Sequence, residues 1–230
     1  MNERNEFNQI VGYKVEQWIS AKKPEKKVLR GKYCSLEPLE INKHAEALFN
    51  ALAIDNAGES WTYLPYGPFK TLDEFKEWLK IKTAEQNTLL YAILDNTQKP
   101  IGISGYGINS EHGVIEVGHL HFSALLKKTP LATDAMYLMM RYAFEELHYR
   151  RYEWKCNALN QSSRNAALRL GFTFEGIFRQ HYVFKGRNRD TAWFSIIDSE
   201  WPAIKAKFER WLDPNNFDEQ GQQKISLRNI

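Results

Sequence analysis

The stretch that decides the fold runs from Val114 to Leu147 and reads VIEVGHLHF-SALLKKTP-LATDAMYLMMRYAFEEL. Its first part, Val114–Phe122, is an extended run, whereas the apolar residues after Pro130 recur with the period of 3.6 that is typical of a helix. One helix face carries Met136, Met139, Met140, Ala143, Phe144 and Leu147. We therefore predict a strand, a loop and then a helix over about residues 130–147 whose methionine-rich face packs in the core.

The start of this helix has the chemistry of an anion-binding site. Thr129 is a suitable N-cap, and Pro130 suits the first helical position because its fixed φ fits there. The next backbone N–H groups point out of the helix end without intrahelical partners; they belong to Leu131, Ala132 and Thr133. Lys127 and Lys128 add positive charge beside the positive end of the helix dipole. An ordinary capped helix start explains the same residues equally well.

The remaining elements follow from the same two periods. Further strands are predicted at Tyr33–Leu36, Thr88–Leu94, Ile101–Ile108, Tyr152–Ala158, Phe172–Glu175, His181–Phe184 and Thr191–Ile197. Further helices are predicted after a cap at Asn42, after a capping box that begins at Thr71, and over Ser163–Leu170. Turn-rich segments between the strands of residues 88–122 predict an antiparallel meander. This order of elements indicates a mixed α/β sheet in one domain.

Composition excludes several classes of protein. Of the 230 residues, 43% are hydrophobic and 26% are charged, which excludes disorder throughout the chain. No apolar run reaches the roughly 20 residues that span a bilayer, and the polar start, Met1–Gln9, is not that of a signal peptide, so we expect no membrane partner. Lys and Arg number 31 against 28 Asp and Glu, a net charge of +3 that does not favour nucleic acid.

The numbers and spacing of the cysteines and histidines indicate the redox compartment and whether a metal is bound. Cys34 and Cys156 are too few for a disulfide framework, and they predict a reducing, cytoplasmic setting. The histidines and cysteines show no metal-ligand spacing, so we expect no metal site.

Polar segments flank the regular part of the chain. We predict an N-terminal extension over residues 1–30, the folded domain over residues 31–212 and a C-terminal tail over residues 213–230. The extension contains a basic run at Lys22, Lys23, Lys26 and Lys27. That run fits either a solvated linker or a phosphate-binding patch.

A second polar segment lies between a predicted strand and the short helix. Asn160 offers a side-chain amide and Ser163 a hydroxyl, at the place where the amides and carbonyls of a ligand could be bound. Asn and Ser also cap helices well, and capping alone would explain both residues.

Several motifs are shared with a known family. They are Asn160-x-x-Ser163, Leu170-Gly171-Phe172, Glu175-Gly176, Arg179, the strand Ile115-Glu116-Val117-Gly118-His119 and the helix start Ala132-Thr133-Asp134-Ala135. Together they resemble the GNAT acyltransferase superfamily, in particular its ribosomal-protein N-terminal acetyltransferase (RimJ/RimL-like) type. The resemblance covers roughly Gly31 to Trp211 and implies an α/β (α+β) fold: a mixed, mostly antiparallel central sheet, flanking helices and splayed central strands. One motif departs, because the phosphate loop Gln/Arg-Gly-x-Gly-x-Ala is here Lys127-Lys128-Thr129-Pro130-Leu131-Ala132, without either glycine.

The resemblance implies acetyl-CoA as co-substrate, bound across Val114–Ser123 and Tyr152–Ala158. Its pyrophosphate would lie on the amides of residues 131–133, beside Lys127 and Lys128. Its pantetheine would pair with backbone near His121 and Phe122, and its amides would contact Asn160 and Ser163. An unpaired strand edge is what an extended amide chain requires, and N–H donors are what a phosphate requires.

Acyl transfer to an amine needs a group that accepts a proton. The candidates are Glu116, His119 and His121, and strict alternation places Glu116 on the face opposite the two histidines. We favour Glu116 acting through water, since either histidine also fits as a hydrogen-bonded strand residue. Ser163 is, by resemblance, the candidate proton donor to the leaving thiolate, with Tyr182 as a more remote one.

The acceptor amine is predicted to meet an aromatic loop, Trp61–Phe69. Trp61, Tyr63 and Tyr66, together with His119, form the predicted acceptor site, where aromatic faces hold a cationic amine by cation–π contacts of roughly 0.5–2 kcal/mol each. A hydrophobic lid packed on the sheet explains the loop equally well. The basic turn Lys185–Asp190 fits a solvated turn or a contact to an acidic substrate or RNA.

The sequence therefore predicts a cytoplasmic N-acetyltransferase that moves acetyl from acetyl-CoA to a primary amine in a direct ternary complex. The acceptor is either a protein N-terminal α-amine or a small amine or amino-acid-like metabolite, and a homodimer is a possible assembly. The alternative is a non-catalytic CoA-binding module with a sensing or structural role. A nucleic-acid binder ranks third, because it would need steeply salt-dependent binding that a net charge of +3 does not promise.

Overall fold

The structure is a computed structural model that describes residues 3–54 and 58–230. Its strands are β1 (Glu3–Arg4), β2 (Ile10–Val11), β3 (Leu29–Arg30), β4 (Ser35–Pro38), β5 (Thr88–Leu94), β6 (Pro100–Asn109), β7 (Val114–Phe122), β8 (Arg151–Asn157), β9 (Thr173–Phe184) and β10 (Arg187–Ile197). Its α-helices are α1 (Ile41–Leu52), α2 (Leu72–Ala84), α3 (Pro130–Arg141), α4 (Gln161–Arg169) and α5 (Trp201–Trp211). The predicted meander, β5 to β7, and the predicted strand before α4 are confirmed.

Eight strands form one sheet in the order β3-β4-β5-β6-β7-β8-β10-β9. Neighbours are antiparallel except β7 and β8, which are parallel. That parallel pairing covers only Val114–Val117 against Arg151–Trp154. Beyond it, β7 continues to Phe122 and β8 to Asn157, with no further pair between them in the described chain. The central strands therefore part after four residue pairs, as predicted.

Helices cover the two faces of the sheet unequally. On one face α1 and α2 pack on β5 and β6, where Leu48, Phe75 and Ile103 are buried. On the other face a larger cluster includes α3 and α5, and the Tyr106 hydroxyl donates to the Met139 carbonyl at 2.6 Å. All six apolar residues predicted for the face of α3 and its continuation are buried. Each such side chain contributes roughly 1.5–3 kcal/mol of burial free energy, so this layer fixes the start of α3 relative to β7.

A β-bulge in β7 changes which side chains share a face. Ile103 pairs with His121 and Gly105 with Gly118, so two residues of β7 oppose the single residue between them on β6. His119 lies in the bulge and has a φ of +52°. Because Gly107 pairs with Glu116 on the same face as Ile103, the bulge brings Glu116 and His121 to one face. The prediction from strict alternation, that Glu116 lies opposite the histidines, is wrong for this reason.

Three element boundaries differ from the predicted ones. Helix α1 begins at Ile41 with Glu40 as its N-cap, and Asn42 is already helical, because Nδ1 of His44 accepts the Glu40 N–H at 3.0 Å. The helix predicted to reach Leu147 is α-helical only to Arg141 and continues as a π-helical turn, in which the Leu147 N–H bonds the Tyr142 carbonyl.

The third difference concerns the end of the sheet. The segments predicted as two strands, Phe172–Glu175 and His181–Phe184, are one long strand, β9. Its polar middle forms a bulge, because Phe178 pairs with Thr191 and Tyr182 pairs with Arg189. The polar residues between them bend the strand and do not end it.

A buried carboxylate ties the start of α3 to the β3–β4 hairpin. Asp134 accepts the backbone N–H groups of Tyr33 at 2.7 Å and Cys34 at 3.2 Å. Burial raises the pKa of Asp134 despite these bonds. The contact holds the helix start against the sheet, which positions the amides at its N-terminus. None of the described helices is long and apolar enough to cross a membrane.

Candidate active site

The gap between the parted strands leads to the N-terminus of α3. Thr129 has N-cap geometry, but its hydroxyl donates to the Leu126 carbonyl at 2.7 Å and no side chain caps the helix. The amides of Leu131 and Ala132 are thus not capped by Thr129 and are available to an anion at this end. The Thr133 N–H makes the first intrahelical bond, to the Thr129 carbonyl, so the prediction that it is also available is wrong. Thr129 therefore occupies the N-cap position, as predicted, but its side chain does not cap the helix.

The glycine-free loop adopts a glycine-like backbone at one position. Lys128 has a φ of +61°, the left-handed conformation that glycine adopts readily, and it occupies the place of the first glycine of the family's phosphate loop. Lys127 and Lys128 are both exposed beside the start of α3. The loop can therefore take the required path without glycine, at a conformational cost of about 1–2 kcal/mol.

The start of α4 stands at the end of β8. Oδ1 of Asn160 accepts the Ser163 N–H at 3.1 Å, and Oγ of Ser163 accepts the Trp154 Nε1–H at 3.0 Å. Capping therefore accounts for one atom of each residue. The NH₂ group of Asn160 has no hydrogen-bond partner among the residues that the structure describes, whereas the Ser163 hydroxyl also bonds with the Cys156 thiol.

A chain of ion pairs lies on the sheet face away from the larger core, at the point where β7 and β8 part. The Lys155 ammonium lies 2.9 Å from a Glu116 oxygen and 2.9 Å from a Glu153 oxygen, and Glu153 also pairs with Arg151 at 2.6 Å. Burial raises the pKa of Glu116, although the charge of Lys155 acts to lower it. Burial would lower the pKa of Lys155, but the two carboxylates raise it. The candidate base is thus a partly desolvated carboxylate held by one cation.

The two histidines of β7 contact the aromatic loop. Nδ1 of His119 lies 3.1 Å from the Tyr66 hydroxyl, and Nε2 of His121 lies 2.9 Å from the Ser60 hydroxyl. Burial lowers the pKa of His119 to about 4, so its ring is neutral at pH 7. These contacts support the interpretation of both histidines as hydrogen-bonded strand residues.

The aromatic loop packs on the sheet as a lid. Trp61 is buried, with its ring centroid 3.9 Å from that of His121 and 5.3 Å from that of Phe69. A Cβ at Gly67 would lie 2.3 Å from the Trp61 ring, so only glycine fits there. Tyr63 is exposed, whereas the Tyr66 ring packs at a tilt against Trp78, with the ring centroids 4.4 Å apart. Of the predicted acceptor residues, Tyr63 is therefore the one whose ring faces solvent.

A cavity lies on β9 and β10, where the Phe178 ring is 5.1 Å from the Trp193 ring. Its volume is about 690 Å³ and it is lined by Phe178, Arg179, Gln180, Asn188 and Asp190. Asn188 and Asp190 belong to the basic turn, and none of the five is among the predicted catalytic, cofactor-binding or acceptor residues. The site is accordingly defined by the strand gap, where the backbone donors and the ion pairs meet, and not by this cavity.

Sequence reasoning missed the part of the site contributed by β8 and β10. Lys155 pairs across the gap with Glu116 and lies 4.2 Å above the Trp193 ring. The alternation in β8 put Lys155 and Glu153 on one face, but their meeting with Glu116 requires the parallel register. The strand was predicted at Thr191–Ile197, and the pattern Arg189-x-Thr191-x-Trp193 on one of its faces was the signal that could have assigned β10 to the site.

The mixed sheet, the parted parallel pair and the open start of α3 together define an acyltransferase fold of the GNAT type. The family model for the acetyltransferase (GNAT) domain matches residues 35–173. This chain belongs to the GNAT acetyltransferase family, and the prediction of an N-acetyltransferase is confirmed. Enzymes of this family use acetyl-CoA.

Three relatives illustrate the similarity. A crystal structure of a GCN5-related N-acetyltransferase from Brucella melitensis is 46% identical, has a TM-score of 0.91 and covers 93% of this chain and 98% of its own. YdaF of Bacillus subtilis (strain 168), which bears the name of a ribosomal N-acetyltransferase, is 24% identical over 176 residues, 74% of this chain and 92% of YdaF. RimL, a ribosomal L7/L12 α-N-protein acetyltransferase in complex with coenzyme A, shares the fold at 17% identity and a TM-score of 0.65, covering 75% of this chain and 99% of RimL.

Proposed function

We propose that this protein transfers the acetyl group of acetyl-CoA directly to a primary amine, with a protein N-terminal α-amine as the preferred acceptor and a small amine as the second. The observation that carries the proposal is the parting of β7 and β8 after Val117 and Trp154, beside the uncapped start of α3. The gap exposes one edge of β7 up to Phe122. An extended amide chain can pair with that edge as a strand would, and its phosphates then reach the helix start.

The fit of the cofactor rests on atoms of this chain. Backbone amides of residues 131 and 132, with Lys127 and Lys128, would hold the pyrophosphate. The backbone near His121 and Phe122 would pair with pantetheine, and the free amide of Asn160 and the hydroxyl of Ser163 would contact its amides. When bound, acetyl-CoA supplies an activated acyl carbon.

The bulge in β7 supplies a group that polarises the thioester carbonyl. A bulge leaves one residue of β7 outside its ladder with β6, so a backbone N–H at residues 119–120 would be the donor that reaches the thioester in the gap. Such a donor stabilises the negative charge that develops on the carbonyl oxygen as the amine attacks. Donors of this kind contribute about 2.7–4 kcal/mol elsewhere.

Glu116 is the base that we propose. It lies on the face opposite the larger core, its carboxylate is partly desolvated, and a raised pKa improves its match to neutral pH. Water between Glu116 and the ammonium of the acceptor would pass the proton. His119 is less suited, because a pKa of about 4 makes it a weak base. Ser163 would return a proton to the departing thiolate, helped by the N–H bond that it accepts from Trp154.

The name of YdaF favours the protein N-terminus as acceptor. The main contacts of α1 and α2 with the sheet are to β6 and β5, so a chain end would approach Glu116 from the side of Lys155 and Trp193.

The test combines binding and turnover with purified protein. Acetyl-CoA should raise the melting temperature, and free thiol should appear with an amine acceptor, which mass spectrometry then locates. Peptides with free or blocked N-termini and small amines form the acceptor panel. Thiol release with free N-termini supports the proposal. Binding without acetylation of any amine would contradict it and favour a sensing or structural role.

A further inference from the structure

The face of β9 and β10 beside the strand gap holds four buried polar atoms that have no hydrogen-bond partner in the described chain. They are Nε of Arg189, Oγ1 of Thr191, Nε1 of Trp193 and Nδ1 of His181. Two of them are N–H donors and the Thr191 hydroxyl can also donate. A buried polar group without a partner destabilises the fold, so such a cluster indicates a missing ligand.

Three of these residues share one face of β10, and the fourth packs near it. Arg189, Thr191 and Trp193 alternate along β10 and therefore point to the same face. The His181 ring lies 6.1 Å from the Trp193 ring, between centroids, and 3.8 Å from the Tyr182 ring. The β9 bulge after Phe178 turns His181 into this group.

Arg189 is held in place by aromatic rings. Its guanidinium carbon lies 5.7 Å from the centroid of the Tyr182 ring and 5.2 Å from that of the Phe184 ring. Burial lowers the pKa of Arg189, although guanidinium stays charged at any physiological pH. A planar cation stacked on aromatic faces keeps its fork of N–H groups free for a carboxylate.

The charge of Arg189 is not neutralised by a salt bridge to any residue that the structure describes. Lys155 differs, because it is paired with both Glu116 and Glu153. Arg189 nevertheless lies close enough to Glu116 to lower the pKa of that carboxyl. It is therefore a cation that no described residue neutralises, within electrostatic range of the candidate base.

We propose that Arg189, with Trp193 and Thr191, forms a carboxylate-binding subsite, and that the acceptor is an amine that also carries a carboxylate. This inference rests on the proposed function, since it places the carboxylate next to the amine that Glu116 serves. The guanidinium fork would bind the two oxygens, and the indole N–H and the threonine hydroxyl would complete the contacts. The carboxylate comes either from a free amino-acid-like metabolite or from an acidic side chain near a peptide N-terminus.

The experiment compares matched acceptors that differ only in charge. One arm uses α-amino acids against their α-carboxamides, and the other uses tetrapeptides with Asp or Asn at the second position. The kcat/KM ratio of carboxylate to amide is measured for the wild type, Arg189→Gln and Arg187→Gln. Arg187 is the matched control, because it is an exposed arginine two residues away on the same strand. Melting temperatures with acetyl-CoA check folding and cofactor binding of each variant.

We expect the wild type and Arg187→Gln to favour the carboxylate at least tenfold in one arm, and Arg189→Gln to bring the ratio close to one. The arm that shows the preference identifies the source of the carboxylate. A wild-type ratio near one in both arms, or a preference that survives Arg189→Gln, would overturn the subsite. Loss of acetyl-CoA binding in Arg189→Gln would overturn it too, by assigning Arg189 to the cofactor.

A failure of the proposed function is distinguished by titration without turnover. The same acceptor pairs are titrated by calorimetry into the protein with coenzyme A bound. If no amine is acetylated but the carboxylate member binds at least tenfold tighter, and only Arg189→Gln abolishes that difference, the subsite stands and the proposed transfer fails. Equal binding of both members would reject the subsite independently of catalysis.

Discussion

Nζ of Lys185, in the turn between β9 and β10, donates to the backbone carbonyl of Trp61 across 2.9 Å. The bond joins the β9–β10 turn, which lies on the β8 side of the strand gap, to the aromatic loop, which lies on the β7 side. The basic turn is therefore not merely solvated, and neither an acidic partner nor RNA is needed to explain Lys185. The Lys185 bond borders the sheet face on which Glu116 and Lys155 form their ion pair.

Replacing Lys185 with Met should remove this bond. One hydrogen bond to a charged donor contributes about 1.5–3 kcal/mol at most, and exposure at the tip of the turn reduces that value. We expect the KM for the amine to rise about threefold to tenfold, with the affinity for acetyl-CoA unchanged. Steady-state kinetics and calorimetry measure the two quantities. Lys99→Met, in an exposed turn, is the control, and an equal effect there would show that the Lys185 bond is not the cause.

Replacing Glu116 with Gln should lower kcat about 100-fold near pH 7, because general-base catalysis contributes roughly 10²–10⁴-fold. Acetyl-CoA affinity should stay the same. Lys155→Gln keeps the carboxylate but removes the cation that acts to lower the pKa of Glu116. The acid limb of its pH–rate profile should therefore move to higher pH. Full activity of Glu116→Gln would place the base elsewhere.

Asn160 has a capping role that separates from its proposed contact with acetyl-CoA. Asn160→Ala should cost about 1 kcal/mol of stability through the lost cap and should also weaken acetyl-CoA binding. Asn160→Asp retains a cap acceptor but lacks the amide N–H groups. We expect its melting temperature to recover while its affinity stays low. If Asn160→Ala binds acetyl-CoA as tightly as the wild type, Asn160 is not part of the cofactor site.

Lys128 is strained at a φ of +61°, and glycine would remove that strain. Lys128→Gly should raise the free energy of unfolding by about 0.5–1 kcal/mol after the greater entropy of the unfolded chain is counted. Lys127→Gly removes the same charge without relieving a positive φ, so it should destabilise. Urea unfolding of both variants provides the comparison. A loss of stability in Lys128→Gly would mean that its side chain outweighs its backbone strain.

His119 makes stability depend on pH. Its pKa is about 4 in the folded protein and about 6.5 when unfolded, so between these values the unfolded chain binds the extra proton. Stability should therefore fall as the pH drops below about 6.5, by roughly 2 kcal/mol at pH 5 from this group. Urea unfolding at pH 7 and pH 5 should show a smaller loss in His119→Gln than in the wild type. His112→Gln, at an exposed position, should behave like the wild type.

Periodicity predicted the meander and the start of α3 because both depend on residues close in sequence. The bulge at His119 was beyond it, since a bulge is a property of two paired strands and moves Glu116 and His121 to one face without a local signal. The same holds for Arg189, whose aromatic setting arises from a second bulge in β9. The hydrogen bonds from the β3–β4 hairpin to Asp134 join residues a hundred positions apart, and no local sequence pattern predicts them.

The four residue pairs between β7 and β8 form a short parallel ladder that joins the two antiparallel halves of the sheet. Each half is stiffened by its own antiparallel ladders, and one continuous core that includes α3 joins the two halves beside the four pairs. A long thioester therefore enters a gap that already exists, and the bond between Lys185 and the Trp61 carbonyl joins the two halves a second time.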